Sequence, residues 1–199
     1  VGMRIAGSEM AIRACLTQLL CQELLHQHPL QSLLPTLCPN KTLEVVGNHI
    51  HEQLGRHQLR LADESLQQVT VYCAVALLRQ ASGHELRQFA SDDITPPLAV
   101  VARDIYAELP ILTSPGQEEI ACLAIQIQAR LTAETPLLSP AMAAESEQLT
   151  AHLLGYIHQH YPYDLRGDPQ LRADLQTHIG AMLLRVKYQI GSHNPLADH

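Results

Sequence analysis

A chain of 199 residues is long enough to bury a real core, as one large domain or two small ones. Its 46 % hydrophobic content is too high for a disordered segment, and its 20 acidic against 13 basic residues, net charge −7, exclude a chain built to grip a phosphate backbone. With one Phe, no Trp and 4 % aromatic residues, the core has to come from Leu, Ile, Val and Ala, a vocabulary that favours packed helices over strands.

The first helix is predicted over 8–28, with Ser8 as N-cap and Pro29 as terminator. After a loop carrying Pro35, Pro39 and Asn40, a second helix runs from about Leu43 to about Gln58. A third starts at Asp63, which can cap it, and stops after Ala81 at Ser82-Gly83. Pro96-Pro97 opens a fourth, tolerated in the first turn, that reaches Leu109. Ser114-Pro115-Gly116 leads into a fifth, whose apolar stripe is Ile120, Leu123, Ala124, Ile127 and Leu131. Thr132–Ala141 has two prolines and no periodicity, and reads as a linker. Two more helices follow, about Ala143–His160 and about Pro169–Ile190. No stretch alternates with period 2, so the expected class is all-α.

The five cysteines are odd in number and form no CxxC pair, which fits reduced, buried thiols in a cytoplasmic protein. No segment is long and apolar enough to span a membrane, and no signal peptide opens the chain. The start at Val1-Gly2 and the abrupt stop at His199 suggest a piece of a longer protein. Twelve histidines invite a metal, but His26/His28, His49/His51 and His158/His160 are spaced i,i+2, on different helix faces, so no metal or cofactor is expected. Neither a nucleophile elbow nor a phosphate or dinucleotide loop is present, and the adjacent Glu118-Glu119 point apart while suiting a helix start. The chain is not expected to be an enzyme.

An internal echo carries more information. Tyr72-Cys-Ala-Val-Ala-Leu-Leu-Arg79 aligns with His178-Ile-Gly-Ala-Met-Leu-Leu-Arg185 at an offset of 106 residues. Leu59-Arg60 and Leu165-Arg166 share that offset, and Ile50-His51 matches Ile157-His158 one residue out of step. Repetition at this length indicates tandem copies of one helical module, the second cut short because nothing after it corresponds to Pro96–Leu131.

The second copy reads Leu175-x-x-His178, then Arg185, then Asn194-Pro195-Leu196. His178 and Arg185 are two helical turns apart on one face, separated by roughly 10 Å along the axis. Helical side chains lean toward the N-terminus, which brings the guanidinium back toward the imidazole. Such a pair suits a phosphoryl group on the imidazole: neutral histidine is the nucleophile and arginine pairs with the added oxygens. Taken alone, a helical His with an Arg at i+7 is more often incidental.

The pattern L-x-x-H-I-x-x-x-x-x-R followed by N-P-L resembles the PTS regulation domain, or PRD. The module occurs in pairs in bacterial antiterminators and transcription activators that sense the sugar phosphotransferase system. The resemblance implies compact helical bundles, His178 as phosphoacceptor, Arg185 as phosphoryl-contacting residue and Asn194 as part of the supporting motif. It also implies HPr or enzyme IIB as donors, a homodimer whose packing responds to phosphorylation, and DNA bound through a domain outside this chain. In the first copy Tyr72 stands where the histidine would be, although Arg79 is kept, and Gln126 follows Glu119 where a second histidine is expected. That copy therefore lacks both phosphoacceptors. Gly2-Met-Arg-Ile-Ala-Gly7-Ser-Glu9 with Arg13 resembles the stretch that joins helix-turn-helix domains to the first PRD in activators of the mannitol-operon type.

The resulting division has a leading segment at 1–30, a first PRD-like bundle at 31–133, a linker at 134–142 and a partial second bundle at 143–199. The functional expectation is a regulatory fragment controlled by histidine phosphorylation. Its rivals are a non-phosphorylated dimerisation or protein-interaction scaffold and the regulatory region of an RNA-binding antiterminator.

Overall fold

The computed structural model describes residues 5–26, 40–89, 91–109, 114–131 and 137–191. Seven helices lie among them: α1 (Glu9–His26), α2 (Asn40–Arg56), α3 (Asp63–Ala81), α4 (Pro96–Glu108), α5 (Gln117–Gln128), α6 (Pro140–His160) and α7 (Pro169–Lys187). The fold is all-α, and the isolated bridge between Leu61 and Leu131 is the strand-like pairing among the described residues. No described helix is long and apolar enough to cross a membrane.

Why α3 sits at the centre is visible in its residues. From Val69 to Leu78 it carries no charge, and Val69 to Ala76 are all buried, so the helix is apolar on every side and has to be surrounded. On one flank Val71 and Val75 meet Leu20 of α1. On the other, Val69, Tyr72, Cys73 and Ala76 join the main core with Val46, Ile50 and Leu54 of α2, Leu98, Val101, Ile105 and Tyr106 of α4, and Ile120, Leu123 and Ile127 of α5.

A second, smaller core uses the opposite side of α5. Ile125 and Ala129 pack against Met142, Leu184 and Ile190, with Phe89, Ile94 and Leu138 at the edge. α5 thus serves both cores and carries the α6–α7 pair on the first five helices. Gly180 marks the tightest approach, where a Cβ would lie 2.5 Å from Leu138 Cδ1.

The 106-residue echo extends to the helix ends. It carries Asp63–Ala81 onto Pro169–Lys187, each of 19 residues. Both helices also terminate alike, through a left-handed residue: Gly83 at φ 77° after α3 and Gln189 at φ 52° after α7. His84 N then donates to Arg79 O, and Ile190 N to Arg185 O, the bond that turns the chain off a helix.

Several boundaries differ from the sequence reading: Asn40, expected in a loop, opens α2, and α5 ends at Gln128, short of Leu131. Asp63 does not cap α3: the cap position is Ala62, which offers no side chain, and Asp63 with Glu64 favour the helix through its dipole. α6 starts at Pro140, not near Ala143, because Ser139 accepts from Met142 N and Pro140 suits the first turn. α7 stops at Lys187 and not at Ile190, because Gln189 takes the left-handed conformation that glycine usually supplies.

Candidate functional site

His178 lies midway along α7 and is exposed. Successive residues turn by about 100°, so Met182 shares its side of the helix and Val186 lies next to it. Both are exposed, at 45 % and 71 %. The opposite side carries Gly180 and Leu184, which are buried toward α5 and α6. α7 is therefore anchored by one face and presents its imidazole on the other. N-cap Asp168, which accepts from Leu171 N, and Pro169 fix where the helix begins and so where His178 points.

Arg185 is engaged elsewhere. Its Nη1 donates to the backbone carbonyl of Ala129 at 3.3 Å, at the C-terminal end of α5. A cation is favoured there because the last carbonyls of a helix lack partners and carry its negative dipole end. Among the described residues no hydrogen bond joins Arg185 to His178. Asn194 lies outside the described residues.

Beside Arg185 sits Arg130, 9 % exposed. Its guanidinium donates to Gln68 Oε1 at 2.9 Å, to the backbone and side-chain oxygens of Gln126 at 3.0 and 2.7 Å, and to Gly191 O at 3.3 Å. Burial brings its pKa down to about 10, and the nearby positive charge of Arg185 pushes the same way. The structure thus brings Gln126 and Arg185, assigned to different copies by the sequence, to one junction. Gln126 acts there as an acceptor for a buried cation.

The position that the 106-residue echo aligns with His178 is closed. Tyr72 is 3 % exposed and its hydroxyl donates to Cys122 Sγ at 2.9 Å. Burial drives the phenol pKa well up and, with the Cys122 contact, keeps it neutral. The retained Arg79 holds Glu9 of α1, Nε to Oε1 at 2.9 Å and Nη2 to Oε2 at 2.6 Å.

That contact belongs to a larger buried network which the sequence did not reveal. Arg13 is 0 % exposed and donates to both oxygens of Glu119, to Glu9 and to His84 O. Glu119 also accepts from Leu86 N. Burial lowers the guanidinium pKa of Arg13, but the bonds to Glu119 and Glu9 and the surrounding charges together outweigh it, and the net shift is upward. Glu9 and Arg13 are spaced i,i+4, which was visible; Glu119, more than a hundred residues away, was not.

A second node gathers on Asp93, 2 % exposed. Its carboxylate accepts from Ser139 Oγ at 3.0 Å, Lys187 Nζ at 2.6 Å and Tyr188 Oη at 2.6 Å, while its carbonyl accepts from Gln128 Nε2 at 2.9 Å. One residue between α3 and α4 therefore holds both the start of α6 and the end of α7.

The histidines are dispersed. His57 pairs with Asp104 at 2.8 Å, His49 bonds Ile105 O at 3.1 Å, and His160 stacks on Tyr156. No group of three or more potential metal ligands occurs among the described residues. The groove of about 780 Å³ between α2 and α3 is lined by Leu24, Gly47, His51, Leu66, Thr70 and their neighbours, and by no residue of α7. No family model, curated protein or solved structure matches the chain.

Proposed function

We propose that this chain is a regulatory segment of a bacterial transcription regulator of the PRD type, switched by phosphorylation of His178. Phosphotransferase-system proteins, HPr or an enzyme IIB, are the donors in this reading. The observation that carries it is the pairing of the L-x-x-H…R pattern with an exposed imidazole on a helix whose other face is anchored. A phosphocarrier protein has to bring its phosphoryl group up to the acceptor, and an open convex face admits one where a closed pocket does not. Neutral imidazole supplies the attacking nitrogen near neutral pH. The added charge of about −1.5 to −2 then acts on whatever packs beside it. DNA contact is assigned to a domain outside this chain, in keeping with its net charge of −7, and the working unit is taken to be a homodimer.

The first copy has a different job. With Tyr72 buried and Gln126 committed to Arg130, it serves as the scaffold that supports α7 and ties in α1. A second reading, a helical interaction scaffold without phosphorylation, is favoured by the exposed apolar residues of α6 and α7: Leu149, Leu153, Tyr156, Met182 and Val186.

Incubation with phosphoenolpyruvate, enzyme I, HPr and a panel of enzyme IIB proteins, followed by intact mass, separates the two. The phosphorylated-regulator reading predicts one acid-labile adduct on the chain and none on His178→Ala. An unmodified chain throughout leaves the scaffold.

A further inference from the structure

The two copies place an arginine at the same point of the same helix, and the partners differ in charge. Arg79 holds a carboxylate, that of Glu9, through two short bonds. Arg185 has a neutral partner, the Ala129 carbonyl, through one bond of 3.3 Å. Among the described residues its neighbour Arg130 likewise bonds neutral oxygens, those of Gln68, Gln126 and Gly191. Two guanidiniums thus meet at the end of α5 with no carboxylate bonded to either among the described residues. The bond to Ala129 O helps fasten α7 to the first copy. Other fastenings include the Asp93 node, the bond from Arg130 to Gly191 O and the small core around Leu184 and Ile190.

We infer that Arg185 is a two-position contact: it caps α5 through Ala129 O when His178 is bare, and leaves for the phosphoryl group when His178 is modified. The inference rests on the phosphoacceptor reading and specifies how that site is felt by the first copy. His178 and Arg185 lie on one side of α7, and an arginine leans toward the N-terminus, so the guanidinium moves along its own helix without unwinding it. Both bonds have an ionised donor, but the phosphoryl group adds a full opposite charge that the Ala129 carbonyl lacks, and the starting bond is long. Departure also separates two like charges, because Arg130 stays bound to α3 and α5. The cost falls on the junction: α5 loses a cap on its last turn, and α7 loses one of its fastenings. Arg79, kept on Glu9 in the first copy, shows the anionic partner that this helix position accommodates.

The test uses the 199-residue chain and potassium phosphoramidate, which modifies histidine without a protein donor. An imidazole nitrogen of His178 forms the new N–P bond, the P–N bond of the reagent breaks, and ammonia leaves carrying the proton. Peptide mapping reports which histidines are modified, and His178→Ala treated in parallel subtracts effects of the others. Amide hydrogen exchange is then read over 125–131 and 184–190. Modification at His178 is expected to raise exchange there by about tenfold, the scale of one charge-assisted bond lost from a locally opening unit. Arg185→Gln retains a donor for Ala129 O and loses the cation, so its exchange is expected to change less than twofold relative to its own unmodified baseline. An adduct on His178 with unchanged exchange overturns the switch and leaves the acceptor standing. So does a modified Arg185→Gln chain that loosens as much as the parent. Absence of an adduct on His178, while other histidines react, sinks the acceptor reading and the switch with it.

Discussion

Arg13 concentrates the physics of single residues in this chain. A guanidinium at 0 % exposure is tolerable only with its charge paired and its donors used, and Glu119, Glu9 and His84 O use them. Removing one member leaves the other buried and uncompensated. Arg13→Ala is therefore expected to cost about 3–5 kcal/mol in urea unfolding, the usual penalty for breaking a buried pair. A loss under about 1 kcal/mol would show that water reaches Glu119 when Arg13 is gone. The contrast between Tyr72 and His178 belongs to the same scale. Positions aligned by the 106-residue echo are buried on α3 and exposed on α7, because α4 and α5 cover α3 while His178 faces outward on α7. Sequence disclosed the substitution of Tyr for His but not the difference in burial, which depends on helices distant along the chain.

Helix ends decide what the elements can do. Most positions were legible beforehand from caps and breakers: Ser8 accepts from Ala11 N as expected, Pro96-Pro97 opens α4, and Gly83 closes α3. Gln189 hid the end of α7, since a left-handed glutamine leaves no compositional mark. Ser139 hid the start of α6, because its role depends on two partners at once. It caps α6 through Met142 N and donates to Asp93 Oδ1. Ser139→Ala removes both and is expected to destabilise by about 1–2 kcal/mol, the range for a lost cap with a buried acceptor partly stranded. The same variant should leave phosphotransfer to His178 intact, since α7 keeps its own cap on Asp168. If stability were unchanged, the Asp93 node would not hold α6.

At the scale of the molecule, the all-α class followed from composition and period, while the tandem-module reading rests on an eight-residue echo, beside which α3 and α7 share length and manner of ending. What joins α6 and α7 to the first five helices was not legible, because Asp93, Arg130, Lys187 and Tyr188 look like ordinary surface residues until the chain is folded. The joint also has a pH signature. Burial raises the Asp93 carboxyl, but bonds from Lys187, Tyr188 and Ser139 outweigh it and hold the pKa below the ordinary value. Glu9 behaves likewise, with burial opposed and overcome by Arg79 and Arg13. For groups lowered on folding, the unfolded chain takes up protons first as pH falls. Stability is then full above the ordinary carboxylate range of about 4 to 4.5 and declines below it. Thermal unfolding from pH 7 to pH 3 should show that decline, and Asp93→Asn should flatten part of it. A parallel decline in the variant would remove Asp93 from the explanation.

One histidine among twelve carries the proposed regulation. Its most direct test is to map the phosphoryl group by fragmentation of the chain phosphorylated by HPr or an enzyme IIB, at neutral pH and without acid. The group is expected on the peptide containing His178, with loss of the modification in His178→Ala and reduced occupancy in Arg185→Gln. A phosphoryl group on another histidine, or none on a folded chain with every donor supplied, would contradict it.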